Sequence, residues 1–147
     1  MVKSGIRTVE ILLVERNRGD LDKFIKLFKE SSIPNTFRFA GSGDQAIKMM
    51  LQMDAYSNMT PPDVVIFDIH TFDKKEWVGL QAIAKEAGAK CIPVVMLTKD
   101  KKIKEDTGKY LSCPIVSLDK PDALNQYKKI VEEVEEFWLS KHSFKYF

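Results

Sequence analysis

Short runs of apolar residues recur along the chain and predict five buried strands. The run at residues 64–67 is wholly apolar and rich in β-branched side chains, which is typical of a strand covered on both faces of a parallel sheet. The run at 36–40 alternates polar and apolar residues, as expected near a sheet edge. The five predicted strands are residues 9–14, 36–40, 64–67, 92–97 and 115–118.

Apolar residues spaced three and four apart predict amphipathic helices between these strands. Leu21, Phe24 and Phe28 lie on one such stripe, and Ser42 with Gln45 forms a capping-box pattern at the start of the second helix. Residues 99–110 contain few apolar anchors, so the fourth helix is expected to be the shortest. The last helix carries the stripe Leu124, Tyr127, Ile130, Val131, Val134, Phe137 and Trp138. Alternation of strands and helices predicts an α/β fold with a parallel sheet covered on both faces.

Composition narrows the class of protein. The chain has 147 residues, of which 44% are hydrophobic and 30% charged, which fits a single compact domain. Its formal net charge of +2 gives no electrostatic reason to expect a nucleic-acid or membrane partner. Apolar runs of four residues are far shorter than the ~20 that cross a bilayer, and residues 1–5 lack a signal-peptide pattern. We therefore expect a cytoplasmic protein.

Asp68 is the first candidate for chemistry, because it follows the most apolar strand directly. Ligands and reactive groups gather at the carboxyl ends of parallel strands, so a carboxylate there is a candidate nucleophile or metal ligand. A turn-forming aspartate that only caps the following segment is the alternative.

Four groups of residues together resemble the receiver domains of two-component response regulators. They are residues 11–15 at the end of the first strand, Asp68, Leu97-Thr98 and Lys120-Pro121. Thr98 lies 30 residues after Asp68, and Lys120 lies 22 residues after Thr98. The ending 137–139, Phe-Trp-Leu, resembles single-domain regulators that partner phytochrome-type sensor kinases in bacteria. The resemblance covers residues 8–140, leaving tails at 1–7 and 141–147. It implies a flavodoxin-like (βα)5 three-layer sandwich with a five-stranded parallel sheet.

The resemblance also implies a role for each residue of the site. Asp68 would accept a phosphoryl group, and Thr98 and Lys120 would contact the phosphate. A Mg²⁺ ion would be held by Glu15, Asp68 and the backbone carbonyl of His70. Taken singly, Glu15 also fits a solvated loop acid, Thr98 a strand residue and Lys120 a surface lysine. Because these residues occur at strand ends with the spacing of the receiver family, we favour the interpretation that they form one site.

Several residues depart from the family pattern. Arg16 stands where the family has a second acidic metal ligand, and Lys99 follows Thr98 where a small residue is usual. Ser117 replaces a common aromatic residue, and the loop at 70–75 lacks the usual proline and glycine. We expect Arg16 to weaken Mg²⁺ binding and Arg16→Asp to restore it, so Arg16 and Lys99 define an atypical pocket.

The sequence thus predicts a single-domain response regulator receiver, not an enzyme, acting in a two-component phosphorelay. Its expected partner is a sensor histidine kinase or phosphotransfer protein, and it would signal by protein contact. A weak two-fold homodimer through the last helix, near Trp138 and Leu139, is also expected. One alternative is a phosphorylation-independent docking module with the same fold. Another is a small flavodoxin-like nucleotide or flavin binder, although the loop at 15–20 has one glycine and no phosphate-binding fingerprint.

Overall fold

The structure is a computed structural model that describes residues 8–68, 74–89, 92–98, 102, 105, 115–118 and 124–142. The strands are β1 (Val9–Val14), β2 (Asn35–Ala40), β3 (Val64–Asp68), β4 (Val94–Leu97) and β5 (Ile115–Leu118). The helices are α1 (Arg18–Lys29), α2 (Gly43–Met50), α3 (Lys74–Ala89) and α4 (Leu124–His142). A short 3₁₀ turn, Asp54–Tyr56, follows α2 and was not predicted. The helix predicted within 99–110 lies outside the described residues except at 102 and 105.

All strand pairs in the sheet are parallel, and the order is β2-β1-β3-β4-β5. This confirms the predicted α/β class with a parallel sheet. The chain runs outward from β1 to β2 and then returns across β1 to β3, so the winding direction reverses between β1 and β3. The carboxyl ends of those two strands therefore form the switch point at which α/β folds place ligands.

The amino ends of β1 and β3 are joined by two polar contacts. The Asp63 side chain accepts a hydrogen bond from the Glu10 backbone N–H at 2.8 Å, and the Asp63 backbone N–H donates to the Glu10 carbonyl at 2.7 Å. Val14 is then level with Phe67 at the other end of the pair.

Side chains of β1 and β3 alternate between two core layers. Leu12 and Val14 pack with Met50 and Leu80, in a layer that we call the α2/α3 layer. Ile11 and Leu13 pack in the opposite α1/α4 layer, whose other members include Phe24, Phe28, Tyr127 and Val131. By the same alternation, Glu15 and Asp68 project toward the α1/α4 layer.

Two helices start with side-chain caps that hold the loops at the carboxyl edge of the sheet. Asn17 accepts a hydrogen bond from the Asp20 backbone N–H at 3.0 Å, and Ser42 accepts one from the Gln45 N–H at 3.1 Å. Gln45 Oε1 reaches back to the Gly41 N–H at 2.8 Å, one residue before the cap. The predicted cap at Ser42 is thus confirmed.

Helices α2 and α3 touch backbone to backbone at Gly43 and Gly79. A Cβ atom added to Gly43 would lie 2.9 Å from the Gly79 Cα, which is closer than side chains pack. Glycine at both positions lets the two helices approach and fixes where α2 begins.

None of the helices in the described part of the chain is both long and apolar enough to cross a bilayer. The side chains of Trp138 and Leu139 are outside the described set, so the dimer expected through this end of α4 stays a prediction.

Candidate functional site

Three polar side chains are buried together at the carboxyl ends of β1, β3 and β4. Glu15 is 6% exposed, Asp68 3% and Thr98 2%. Strand pairing explains their proximity, because Val14 is level with Phe67 and Asp68 is level with Leu97. Glu15, Asp68 and Thr98 therefore lie on three neighbouring strand ends, as the sequence predicted.

Glu15 is fixed at both its backbone and its side chain. Its N–H donates to the Ala40 carbonyl at 2.9 Å, which ties it to the end of β2. Its Oε2 accepts from the Asn17 N–H at 3.1 Å, so the carboxylate folds back over the start of α1. A solvated loop acid would be exposed, and that interpretation of Glu15 is wrong.

The acidic cluster contains a third member that the sequence analysis did not consider. Glu15, Asp20 and Asp68 each place a carboxylate oxygen within 4.8 Å of the others. Asp20 belongs to the first turn of α1, three residues after the cap Asn17. The signal available in the sequence was an Asn-x-x-Asp pattern in the loop and first helical turn that follow β1, since the first turn of α1 lies close to that strand end.

Arg16 is exposed and lies on the wall of a cavity beside the acidic cluster. The cavity has a volume of about 690 Å³ and lies between the strand ends and helices α2 and α3. Its lining residues are Val14, Glu15, Arg16, Gly41, Ser42, Gly43, Asp44, Ile47, Phe67, Asp68, Val78, Gly79 and Ala82. The strand-end acids thus adjoin a space large enough for a small molecule or an inserted side chain.

Tyr127 of α4 closes the opposite side of the cluster. It is 1% exposed, and its ring packs edge-on against Phe24 with 4.9 Å between centroids. Its hydroxyl donates a hydrogen bond to the Asp20 carboxylate. Burial, followed by that hydrogen bond and the negative charges of Asp20, Asp68 and Glu15, raises the pKa of the Tyr127 phenol well above its ordinary value. The phenol therefore stays protonated and acts as a donor.

Lys23 places one positive charge beside Asp20 and Tyr127. Its Nζ lies 3.8 Å from an Asp20 carboxylate oxygen and 5.1 Å from the centre of the Tyr127 ring. Since its side chain is 42% exposed, the ion pair is screened and contributes modestly.

Three residues of the predicted site, His70, Lys99 and Lys120, lie outside the described residues. Their assignments therefore stay predictions. For Ser117 the structure gives the strand position in β5 but not the side chain.

The donor set fits a hard divalent cation. Three carboxylates within 4.8 Å offer only oxygen ligands, which Mg²⁺ and Mn²⁺ prefer over nitrogen or sulfur. A cation here would be held by Glu15, Asp20 and Asp68. The prediction of Glu15 and Asp68 as ligands is compatible with this arrangement, while Asp20 in place of the residue at position 16 is new.

Comparison with known proteins finds that the chain is similar to response regulators. No protein-family model matches it. It is 28% identical over 129 residues to the response regulator Rcp1 of Synechocystis sp., covering 88% of each chain. It is similar to the phosphorylated cyanobacterial phytochrome response regulator RcpA, with a TM-score of 0.75, 28% identity and coverage of 92% of this chain and 96% of that one.

The Mn²⁺-bound form of Rcp1 is a further structural neighbour, with a TM-score of 0.73, 26% identity and coverage of 89% of this chain and 94% of that one. The predicted flavodoxin-like fold and the resemblance to phytochrome regulators are both confirmed. In sequence and fold the chain is therefore similar to response regulator receiver domains.

Proposed function

We propose that the protein takes a phosphoryl group onto Asp68 and passes a signal on by protein contact. The observation that carries this proposal is the placement of Asp68. Its carboxylate is buried at the end of β3, adjoins a cavity of about 690 Å³ and lies within 4.8 Å of two further carboxylates. The proposal covers residues 8–140 as one receiver with the complete (βα)5 alternation, and it assigns no enzymatic turnover of a small substrate.

The proposed transfer is a displacement at phosphorus. An Asp68 carboxylate oxygen attacks the phosphorus of a phosphohistidine, the P–N bond breaks, and the electron pair stays on the imidazole nitrogen. An acyl phosphate on Asp68 results. A divalent cation bound by the acidic cluster would offset negative charge on the phosphoryl oxygens.

The chain's own residues account for the other needs of that step. Thr98 is buried beside Asp68 and would donate its hydroxyl to a phosphoryl oxygen, and Lys120 would pair with the phosphate. Asp68 is buried among the strand ends and also lines the cavity, so a phosphoryl donor would reach it from the cavity side.

The proposed donor is a sensor histidine kinase or phosphotransfer protein, and a phytochrome-type kinase is favoured because RcpA is a phytochrome response regulator. Such a partner acts on the cytoplasmic side of the membrane, which sets the proposed location.

Incubation with acetyl phosphate and Mg²⁺, followed by intact mass measurement, tests the proposal. Wild type should gain the mass of one phosphoryl group, and Asp68→Asn should gain none. Asp54→Asn is the matched control, because Asp54 is an exposed acid outside the cluster whose left-handed backbone (φ 49°) asparagine also adopts. A folded wild-type protein that gains no mass from acetyl phosphate or from a kinase would contradict the proposal.

The second candidate is a docking module that works without phosphorylation, and Arg16 is the observation that favours it. A guanidinium on the cavity wall opposes a divalent cation beside Asp68. Arg16→Asp should then tighten Mg²⁺ binding markedly, as followed by amide shifts near Asp68. If wild type binds Mg²⁺ as tightly as Arg16→Asp does, Arg16 does not hold the site in an inactive state.

A further inference from the structure

The hydroxyl of Tyr127 is a polar atom in an otherwise apolar stripe. Tyr127 packs with Phe24, Ile130 and Val131 in the α1/α4 layer, where a phenylalanine would make the same ring contacts. A buried hydroxyl needs a partner, because leaving it without one costs more than a formed hydrogen bond returns. Its partner is the Asp20 carboxylate, since Lys23 Nζ lies both 3.8 Å from an Asp20 oxygen and 5.1 Å from the centre of the Tyr127 ring, which places the two side chains together. The oxygen of Tyr127 thus links α4 to the acidic cluster.

Of the three acids in the cluster, Asp20 depends most on contacts from outside the cluster to fix the position of its carboxylate. Glu15 and Asp68 sit at the ends of two paired strands of the sheet, whereas Asp20 is carried by the first turn of α1. Its backbone is held by the cap Asn17, and its carboxylate meets Lys23 at 3.8 Å and the Tyr127 hydroxyl. Lys23 is a half-exposed flexible cation, so the rigid contact to the carboxylate comes from Tyr127.

We propose that Tyr127 is a positioning residue: its hydroxyl orients Asp20 as a cation ligand, and in return cation binding tightens the packing of α4 against α1. The coupling is reciprocal, since a contact that improves cation affinity must itself be strengthened by the cation. This inference rests on the proposed function, because it assigns the acidic cluster to a divalent cation. It adds that the hydroxyl oxygen of Tyr127 couples the acidic cluster to α4.

Outer partners that orient a ligating carboxylate typically change metal affinity by 10- to 100-fold when they are removed. The Asp20 carboxylate keeps Lys23 and its place in α1 when the hydroxyl is lost. We therefore expect the lower end of that range, about a tenfold loss.

The test is Tyr127→Phe, which keeps the ring and removes only the oxygen. Mn²⁺ is titrated into wild type and variant, and free Mn²⁺ is read by electron paramagnetic resonance. Tyr127→Phe should bind about tenfold more weakly, with its urea midpoint close to that of wild type. Tyr56→Phe is the matched control, because Tyr56 accepts a hydrogen bond from Gln45 at 3.1 Å outside the cluster, and its Mn²⁺ affinity should equal that of wild type.

A double-mutant cycle separates positioning from a general packing effect. In an Asp20→Asn background, Tyr127→Phe should cause no further loss of Mn²⁺ affinity. An equal loss in both backgrounds, or no loss in either, overturns the inference.

Hydrogen exchange tests whether cation binding tightens the packing of α4 against α1. Saturating Mg²⁺ should slow amide exchange in α4 of wild type and do so less in Tyr127→Phe. Equal slowing in the two proteins overturns that half of the inference. A wild-type protein that is phosphorylated on Asp68 yet binds no Mn²⁺ also overturns the inference, but it leaves the phosphoacceptor proposal standing.

Discussion

The two core layers on either side of the sheet are built from different kinds of side chain. In the α1/α4 layer the helices contribute large rings, with Phe24, Phe28 and Tyr127 all under 3% exposed. In the α2/α3 layer the helices contribute mainly alanine, methionine and leucine, and α2 meets α3 through glycine.

The two layers therefore have different roles at the site. Rings that pack edge to face make a stiff layer, and that layer holds Tyr127 against Asp20, a member of the acidic cluster. Small side chains let α2 and α3 approach each other, and the cavity beside Asp68 opens on their side of the strand ends. The acids are therefore held from one side of the sheet and approached from the other.

Phe24→Ala should have the largest effect of the changes considered, because it removes a fully buried ring from the stiff layer. We expect a loss of about 3 to 5 kcal/mol in the free energy of unfolding, measured with urea. Mn²⁺ affinity should fall as well, since the Phe24 ring supports Tyr127.

Phe39→Ala serves as the control for Phe24. Phe39 is 38% exposed on β2 and stacks only on Phe37 among the aromatic residues that the structure describes, so its removal should cost under about 1.5 kcal/mol. Similar losses for the two variants would contradict the view that the α1/α4 layer depends on its buried rings.

Gly43→Ala probes the close approach in the other layer. Its new Cβ would meet the Gly79 Cα at 2.9 Å, so the helices must separate, at a cost of about 1 to 3 kcal/mol. Alanine's higher helix propensity, worth up to ~1 kcal/mol, works against this loss. Gly41→Ala is the matched change, because a Cβ there lies 3.8 Å from its nearest neighbour, the Gln45 side chain. Equal urea midpoints for Gly43→Ala and wild type would show that the contact is not tight.

The two helix caps give the smallest and most selective comparison. Asn17→Ala and Ser42→Ala should each lower the free energy of unfolding by about 1 kcal/mol, because each removes the acceptor for one N–H at a helix start. Only Asn17→Ala should also weaken Mn²⁺ binding, since Asn17 holds the backbone of Asp20. Asn17→Ser restores an acceptor and should recover both properties. Equal Mn²⁺ affinities in Asn17→Ala and Ser42→Ala would contradict the view that Asn17 supports Mn²⁺ binding by holding Asp20.

Much of this arrangement was predictable from the sequence. Apolar runs located the strands, and the Ser42–Gln45 pattern located the start of α2 because capping depends on residues close in sequence. Asp68 was found because it directly follows the most apolar strand, and Thr98 because its spacing from Asp68 matches the resemblance to receiver domains.

The missed residues depend on packing between elements that are distant in sequence. Asp20 joins the cluster because α1 folds back over the ends of β1 and β3, whereas the pattern of acids directly after strands does not include a residue in the first turn of a helix. Tyr127 was correctly assigned to the apolar stripe of α4, but periodicity treats it as an apolar residue and does not reveal the partner of its hydroxyl.

The contacts between Glu10 and Asp63 set the alignment of the acids at the far end of the same strands. Because both contacts join the two amino ends, they favour one pairing of β1 with β3 over a pairing displaced by one residue. Such a slip would shift Asp68 along β1 by about 3.3 Å and turn its side chain to the opposite face of the sheet. The geometry of the acidic cluster is thus sensitive to residues five positions from the site on each strand. A change at Asp63 would misalign the cluster even though none of its three acids is altered.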